Sequence, residues 1–592
     1  MCSSGSVVNR QTGESLFYQN LIETATKLEV PQSATLKEVE KFTLIGKSQS
    51  HYNNQEILDG SAKFGLDTTI EGMVHCSIVR CPVIGGRLIR FDDAKARIVD
   101  GYIKAIPIKG NEITTFPDHI RDGVAVIASS TWAAMKAAEN IMVDWESGAF
   151  KDFNTEAYRS TLTELARKEG IEFRNEGQFT TKNSDSVQQL EAYYSGPYLS
   201  HSPMEPMNAI AHVTDTTCEV WIPCHNQSNA LAGLKLITGL PDEAIQIHTT
   251  FIGGSFGRRL QVDYAMEAAL VSKQLGLPVK VTWTRIEDTK YGVYRSGYVQ
   301  KMKGVVQDGK IISFEQHIAC ASVWSQKEKE MLVGGLDYTV IMPAKILPYS
   351  TPHIRMTQSI VDFPIPICWW RASYPTIQHT VQECWFDELA IAAGRDPLEL
   401  RLEMLRDAKK LKFAWQEGWG EDVIDQKRLA NVLEIVKKKS GWAKKKKKGR
   451  GRGVACSVYG GSTYVAEVVE VTVRDNSVRV ERVVCAVDCG RVLNPDNVIA
   501  QMEGGIIFGL SAALYGEISF TDGKVDQNSY QDYRIMTMRD TPEVHVEIVE
   551  SNEAVGGVGE PGTHPAMAAL CNAIFDATRK RVRDLPVRKY LN

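Results

Sequence analysis

Gly556-Gly557-Val558-Gly559-Glu560-Pro561-Gly562 places one carboxylate inside a glycine-rich run, ahead of Thr563-His564-Pro565 and a helical pattern that continues to Thr578. Glycines let a backbone approach a ligand closely and adopt positive φ. A helix N-terminus presents free N–H groups to an anion. A carboxylate held there, away from bulk water, is a candidate proton acceptor. The run reads as a site that holds a phosphorylated cofactor and moves a proton. The plainer alternative is a carboxylate that only complements the helix dipole.

Two further loops carry usable chemistry. In Gly253-Gly254-Ser255-Phe256-Gly257-Arg258-Arg259 the small residues permit backbone contact with a cofactor, and the arginines can pair with phosphate. Glycine-rich turns ahead of helices are also common as plain structure. In Cys368-Trp369-Trp370-Arg371-Ala372-Ser373 two aromatics stand beside an arginine. That suits a planar substrate, with the guanidinium stabilising developing negative charge. Tryptophan pairs more often belong to a core.

The elements around these loops read as α+β. Val124 to Ala128 is a buried-strand candidate before an Ala-rich helix at Ser130 to Asn140. Glu219 to Ile222 is strand-like. Asp263 to Leu275 is a helix stopped by Gly276 and Pro278, with a strand from Val279 to Thr284. Val305 to Ile312 forms a hairpin across Asp308-Gly309, and Gln378 to Ala393 a helix ended by Gly394. Val465 to Val473 and Val478 to Val484 form a second hairpin across Asp475-Asn476. An amphipathic helix is expected near Ser15 to Leu28. A polar stretch, Gly177 to Ser186, and the basic run Lys444 to Lys448 read as linkers, the latter as a short solvated face rather than a nucleic-acid contact.

The 592 residues are 43% apolar and 24% charged, with net charge −4. Large cores follow, and neither nucleic acid nor an acidic membrane surface is called for. The apolar run Gly504 to Gly516 is short and glycine-interrupted, so no membrane span is expected. The first residues lack a basic stretch and an apolar core, so no export signal is expected from them as they stand. The 12 cysteines are scattered without a CxxC pair, as for buried small residues in a reducing compartment. Electrons from any redox chemistry must leave through another subunit.

Taken together in this order, the three loops resemble the large molybdopterin-binding subunit of the xanthine oxidase family of molybdenum hydroxylases. His201-Ser202-Pro203-Met204-Glu205-Pro206, Asp488-Cys489-Gly490, Leu493-Asn494-Pro495, Gln501-Met502-Glu503-Gly504-Gly505 and Asn572 to Ala577 extend the likeness from about Gly46 to Pro586. Gly-Gly-x-Phe-Gly-Arg-Arg and Met-Glu-Pro are most similar to the beta subunits of isoquinoline 1-oxidoreductase and related aldehyde dehydrogenases. The resemblance implies a remnant and connector over 1–50, an α/β hammerhead domain over 51–150 and a linker over 151–190. It then implies a first molybdopterin-binding domain over 191–440, a basic linker over 441–453 and a second such domain over 454–592.

The implied activity is oxidation of an aldehyde or N-heteroaromatic with oxygen from water. Glu560 would take the proton of a molybdenum-bound hydroxyl, a base whose task the metal eases. Arg371 would assist, and a small subunit with 2Fe–2S clusters would collect the electrons. The implied cofactor contacts are Gly253, Gly254, Ser255, Phe256, Gly257, Arg258, Ala372, Ser373, Gln501, Gly557, Val558 and Gly559. They would hold molybdenum with molybdopterin in a dinucleotide form such as molybdopterin cytosine dinucleotide. Trp369, Trp370 and Leu260 would face the substrate. No metal ligand comes from the chain itself.

Three departures bear on this. Leu260 stands where purine-oxidising members carry a glutamate, and Ala372 where carbon monoxide-oxidising members carry a cysteine. A Met-Gly-Gln-Gly loop, which in isoquinoline-type members lies in an N-terminal region, has no counterpart. The expectation is that this region is missing or comes from a second polypeptide. An export signal there would make the protein periplasmic; without one it would be cytoplasmic. The alternative function is a truncated or non-catalytic partner chain that needs a second polypeptide to bind cofactor. Nicotinamide-dinucleotide binding is disfavoured, because neither glycine loop sits in a βαβ unit with an acidic residue about 20 positions on.

Overall fold

The apolar run Val124 to Ala128 becomes the strand Gly123–Ala128, buried at every residue. Its sheet explains the burial. In spatial order the seven strands are Ile245–Thr249, Cys218–Ile222, Asn208–Val213, Val279–Thr282, Val74–Arg80, Gly123–Ala128 and Tyr102–Ile108. Val279 to Val281 pairs in parallel with Val74 to Cys76. The sheet therefore runs unbroken from the expected hammerhead (51–150) into the expected first cofactor-binding domain (191–440). A parallel pair far apart in the chain leaves no local mark in the sequence.

The computed structural model describes residues 2–3, 5–34, 36–113, 120–178, 186–416, 418–475 and 477–590. The turn residue Asn476 and most of the polar stretch expected before Ser186 (179–185) lie outside them. By packing, residues 1–47 form one compact unit and 48–592 another. In the first unit, the expected helix from Ser15 to Leu28 is instead a strand Ser15–Phe17, a tight turn Tyr18–Leu21 and a helical turn Ile22–Ala25. Leu16, Phe17, Tyr18 and Ile22 are exposed. A helix that buries no apolar face gains little to offset its nucleation.

In the second unit the helices that matter are α1 (Thr131–Ala138), α2 (Thr155–Arg167), α3 (Asp263–Leu275), α4 (Pro375–Ala392), α5 (Gln426–Ser440), α6 (Pro495–Tyr515) and α7 (His564–Thr578). Ser130 caps α1 by accepting from Ala133 N. Arg80 ties the seven-stranded sheet to α3. Its guanidinium donates to Glu267 at 2.5 and 2.7 Å and to Glu287 at 2.6 Å, and lies 4.0 Å from the Trp283 ring centre. All three charged groups are buried, a state tolerated only when each is paired.

A second sheet orders Gln188–Gly196, Tyr298–Gln307, Lys310–Cys320, His353–Ile360 and Ile171–Gly177. Its two edges, with α2, occupy most of the span expected as a linker (151–190). The signal was present in Tyr158, Leu162 and Ala166, one buried face at four-residue spacing. The third sheet is an antiparallel run of Arg450–Tyr459, Thr463–Arg474 and Ser477–Asp488, with Glu543–Ile548 added in parallel. Helix α7 packs on the first two of these strands, and α5 on the second and third. So α5 belongs with the last sheet, and Arg450 to Gly453, expected as linker, start a strand. A Cβ at Gly453 would lie 2.1 Å from the Ala569 carbonyl oxygen; that glycine serves helix-on-strand packing.

Helix α6 is long and apolar enough to cross a bilayer, contrary to expectation. Its glycines do not break it, and Val498, Met502, Ile506 and Leu510 are buried in the fold.

Candidate functional site

Each of the three loops leaves a strand and enters a helix, and they meet at Arg371. The Arg371 backbone N–H donates to the Phe256 carbonyl at 2.9 Å, joining the second loop to the first. Its Nε donates to the Gly559 carbonyl at 2.5 Å, joining it to the third. Its Nη2 donates to the Gln501 carbonyl at 3.0 Å and to Gln501 Oε1 at 2.9 Å, on the first turns of α6. A planar fork can hold such divergent acceptors where an ammonium cannot. Burial pulls the Arg371 pKa down, and the charge of Glu560 opposes that.

The first two loops approach so closely that only glycine fits between them. Gly257 has φ 107°, and a Cβ there would stand 1.8 Å from the Trp369 carbonyl oxygen. Gly257→Ala is expected to lower thermal stability, by roughly 1–3 kcal/mol from backbone strain alone and more from the clash. An unchanged unfolding midpoint would show that the loops do not pack this way.

Beneath the first loop, Glu205 accepts from Gly253 N at 2.8 Å and from Arg259 Nη2 at 2.9 Å. Arg259 also donates to the carbonyls of Gly254, Pro223 and Glu205. Arg258 forms a two-pronged pair with Asp263, 2.9 Å on each side. Both guanidiniums are fully buried. Neither is free for phosphate, which corrects the expectation for Arg258: it secures the loop to α3. Ser255 Oγ accepts from Arg259 N. Phe256, at φ 52°, stacks on Phe508 of α6, which stacks in turn on Trp370, with ring centres 4.7 and 4.3 Å apart.

The third loop is held from behind. Gly556 N donates to the Cys489 carbonyl at 2.8 Å, and Thr463 Oγ1 to the Gly557 carbonyl at 2.7 Å. Val558 packs against the main core. A Cβ on Gly557 or Gly559 would meet nothing within 4 Å, so this backbone faces open space.

Next along the loop, Glu560 reaches a cavity of about 420 Å³. Glu560 lines it with Trp369, Trp370, Ala372, Ser373 and Tyr459. No side-chain hydrogen bond or ion pair holds the Glu560 carboxylate among the described residues. Its backbone carbonyl accepts from Thr563 N at 2.9 Å, the turn that opens α7. Burial and the Glu560 charge both push the Tyr459 hydroxyl pKa up, so it stays protonated. A carboxylate with both oxygens free, facing an aromatic cavity, can accept a proton.

Arg371 lines a neighbouring cavity of about 300 Å³ with Phe256, Gly504, Phe508 and Arg534, sharing only Trp370 with the first. Its bonds to the Gly559 carbonyl and to Gln501 position the loop that carries Glu560. Leu260 lines neither cavity. It ends a tight turn, and its carbonyl accepts from Asn229 Nδ2. Tyr459, His379, Trp415 and Asp422, none of them expected at the site from the sequence, also line the larger cavity. Of these only Tyr459 carried a signal, the Gly460-Gly461 turn beside it.

Comparison with known proteins agrees with this geometry. Molybdopterin cofactor-binding domain families match residues 165–405 and 416–542, together more than half of the chain. The chain is 27% identical to the isoquinoline 1-oxidoreductase subunit beta of Brevundimonas diminuta, over 94% of this chain and 70% of that one. It is 28% identical to a membrane-bound aldehyde dehydrogenase [pyrroloquinoline-quinone] of Gluconacetobacter polyoxogenes, over 90% of this chain and 70% of that one. In fold it is similar to quinoline 2-oxidoreductase of Pseudomonas putida 86, with TM-score 0.74, 16% identity, and coverage of 92% of this chain and 98% of that one. Three loops clamped by one arginine, the two cofactor-binding matches and these likenesses lead to one conclusion: the chain belongs to the xanthine oxidase family of molybdenum hydroxylases, as a large molybdopterin-binding subunit of an oxidoreductase.

Proposed function

We propose that this chain oxidises an aldehyde carbon, or the ring carbon beside the nitrogen of an N-heteroaromatic, with Glu560 as proton acceptor and water as the oxygen source. The observation that supports this reading best is the unpartnered Glu560 carboxylate in an aromatic cavity, set there by the Arg371 clamp. When bound, the molybdenum pterin supplies an acidified hydroxyl and a two-electron sink.

The residues fit such a group. Gly557 and Gly559 leave open backbone on one side of Arg371, and Gly504, whose Cβ would meet only Arg371 Nη1 at 3.6 Å, does so on the other. Arg371 Nη1 has no hydrogen-bond partner among the described residues, which suits an anionic cofactor. Gln501, Ser255, Phe256, Ala372 and Ser373 would complete the cradle, and a dinucleotide form of the pterin is part of the proposal. In the cavity, Trp369 and Trp370 would orient a planar substrate and exclude water, while Glu560 holds the proton it removes. The quinone in the name of the aldehyde dehydrogenase relative finds no support here, since both domain matches are to molybdopterin binding.

Electrons would pass to a small 2Fe–2S subunit. The second reading keeps the same site but assigns one cofactor clamp to another polypeptide; the absence of a Gly-Gln-Gly run in this sequence motivates it. Turnover of benzaldehyde in heavy-oxygen water tests the main reading. Label is expected in the benzoate carboxyl group beyond solvent exchange of the aldehyde. Benzoate that draws its new oxygen from dioxygen would contradict it.

A further inference from the structure

The charges on the cavity wall are one-sided. Beside Glu560 it holds a second carboxylate, Asp422, and among the described residues no lysine or arginine lines it. Asp422 lies on the strand Glu421–Asp425, paired with Lys410–Ala414, so its place is fixed by a hairpin. The turn after Tyr459 backs it: a Cβ on Gly461 would come within 3.4 Å of Asp422 Cβ. Asp422 Oδ2 is buried and meets no donor at close hydrogen-bond geometry among the described residues; burial raises the Asp422 pKa, and the Trp415 side chain beside it opposes that. A buried acceptor left unmet is unfavourable, and a ligand's donor would relieve it.

The other walls suit the same ligand. Trp369, Trp370, Tyr374, Trp415 and Tyr459 surround the space, and aromatic faces attract cations. Trp415 is backed by Trp419, with ring centres 6.1 Å apart. The wall residue that could gain a positive charge, His379, is held to the Pro343 carbonyl at 2.7 Å, and burial keeps it neutral, its pKa down at about 4. The nearby cations face elsewhere. Arg371 lines the other cavity, and Lys327, 5.9 Å from the Trp369 ring centre, reaches toward Gln261.

We infer that Asp422 sets the charge preference of the substrate: the cavity accepts planar aromatic substrates that carry a positive charge or a hydrogen-bond donor where they meet Asp422, and rejects those that carry a carboxylate. This rests on the oxidoreductase reading of the same cavity. Like-charge juxtaposition in a desolvated site is strongly unfavourable, and two carboxylates on a wall that no lysine or arginine lines among the described residues present that penalty to an anionic substrate.

Quenching of tryptophan fluorescence in the purified protein, with its bound partners, measures the preference without turnover. Para-trimethylammonio-benzaldehyde is expected to bind at least about tenfold tighter than para-formylbenzoate, with benzaldehyde between them. Asp422→Asn, which keeps the shape and removes the charge, should bring the cation-to-anion ratio to about threefold or less. Asp422→Ser serves if the Asn variant does not fold. Equal binding of the two ions, tighter binding of the anion, or a ratio unmoved by the substitution would overturn the inference. Failure of the wild type to turn over benzaldehyde would strike the oxidoreductase reading instead and leave this ratio to be judged alone.

Discussion

Glu560→Gln will retain molybdenum and pterin, keep its unfolding midpoint, and lose turnover by about 10²–10⁴-fold. Retention follows from the geometry. The Glu560 side chain makes no hydrogen bond among the described residues, and the bond that shapes its turn is from Thr563 N to the Glu560 backbone carbonyl, which glutamine keeps. The loss follows from the chemistry. Glutamine fills the same volume beside Tyr459 and Ser373 but has no basic oxygen, so the proton loses the acceptor that the Glu560 loop places there. Steady-state kinetics beside metal analysis of the same sample separates the two effects. Near-normal turnover would remove Glu560 from the proton-transfer role.

Arg371→Ala should act in the opposite order, releasing the cofactor before it touches the chemistry. The side chain joins the Gly559 carbonyl to Gln501 and is charged, so each bond is of the stronger kind. Its removal leaves carbonyls without a donor and frees the Glu560 loop from α6. Roughly 2–4 kcal/mol of stability should go with it, read from chemical unfolding, and bound molybdenum should fall with activity in proportion. Arg371→Lys should rescue little, because an ammonium cannot span the acceptors that the guanidinium fork reaches. Full molybdenum content with normal turnover in the alanine variant would show that the clamp is not needed.

The site was more legible in the sequence than the domain plan. Gly556 to Gly562, Gly253 to Gly257 and Trp369 to Ser373 are local motifs whose residue types state their chemistry, and the structure brings them together at Arg371. Roles were harder to read than places. Arg258 and Arg259 carry the right charge for phosphate, yet Asp263 and Glu205 use it up, and those partners have no fixed spacing from the loop. The sheet that joins residues 51–150 to 191–440 was hidden for the same reason: Val74 and Val279 pair across a long stretch of chain. Asp422 gave no sign at all. An aspartate in a polar hairpin reads as solvated, and only the fold shows its unmet Oδ2 on a cavity wall.

Metal and pterin content of the protein, purified with the polypeptides that bind it, tests the central claim most directly. Stoichiometric molybdenum together with a released pterin is the predicted result. Protein that holds neither, in the presence of a 2Fe–2S subunit and in a host that makes the cofactor, would contradict the account.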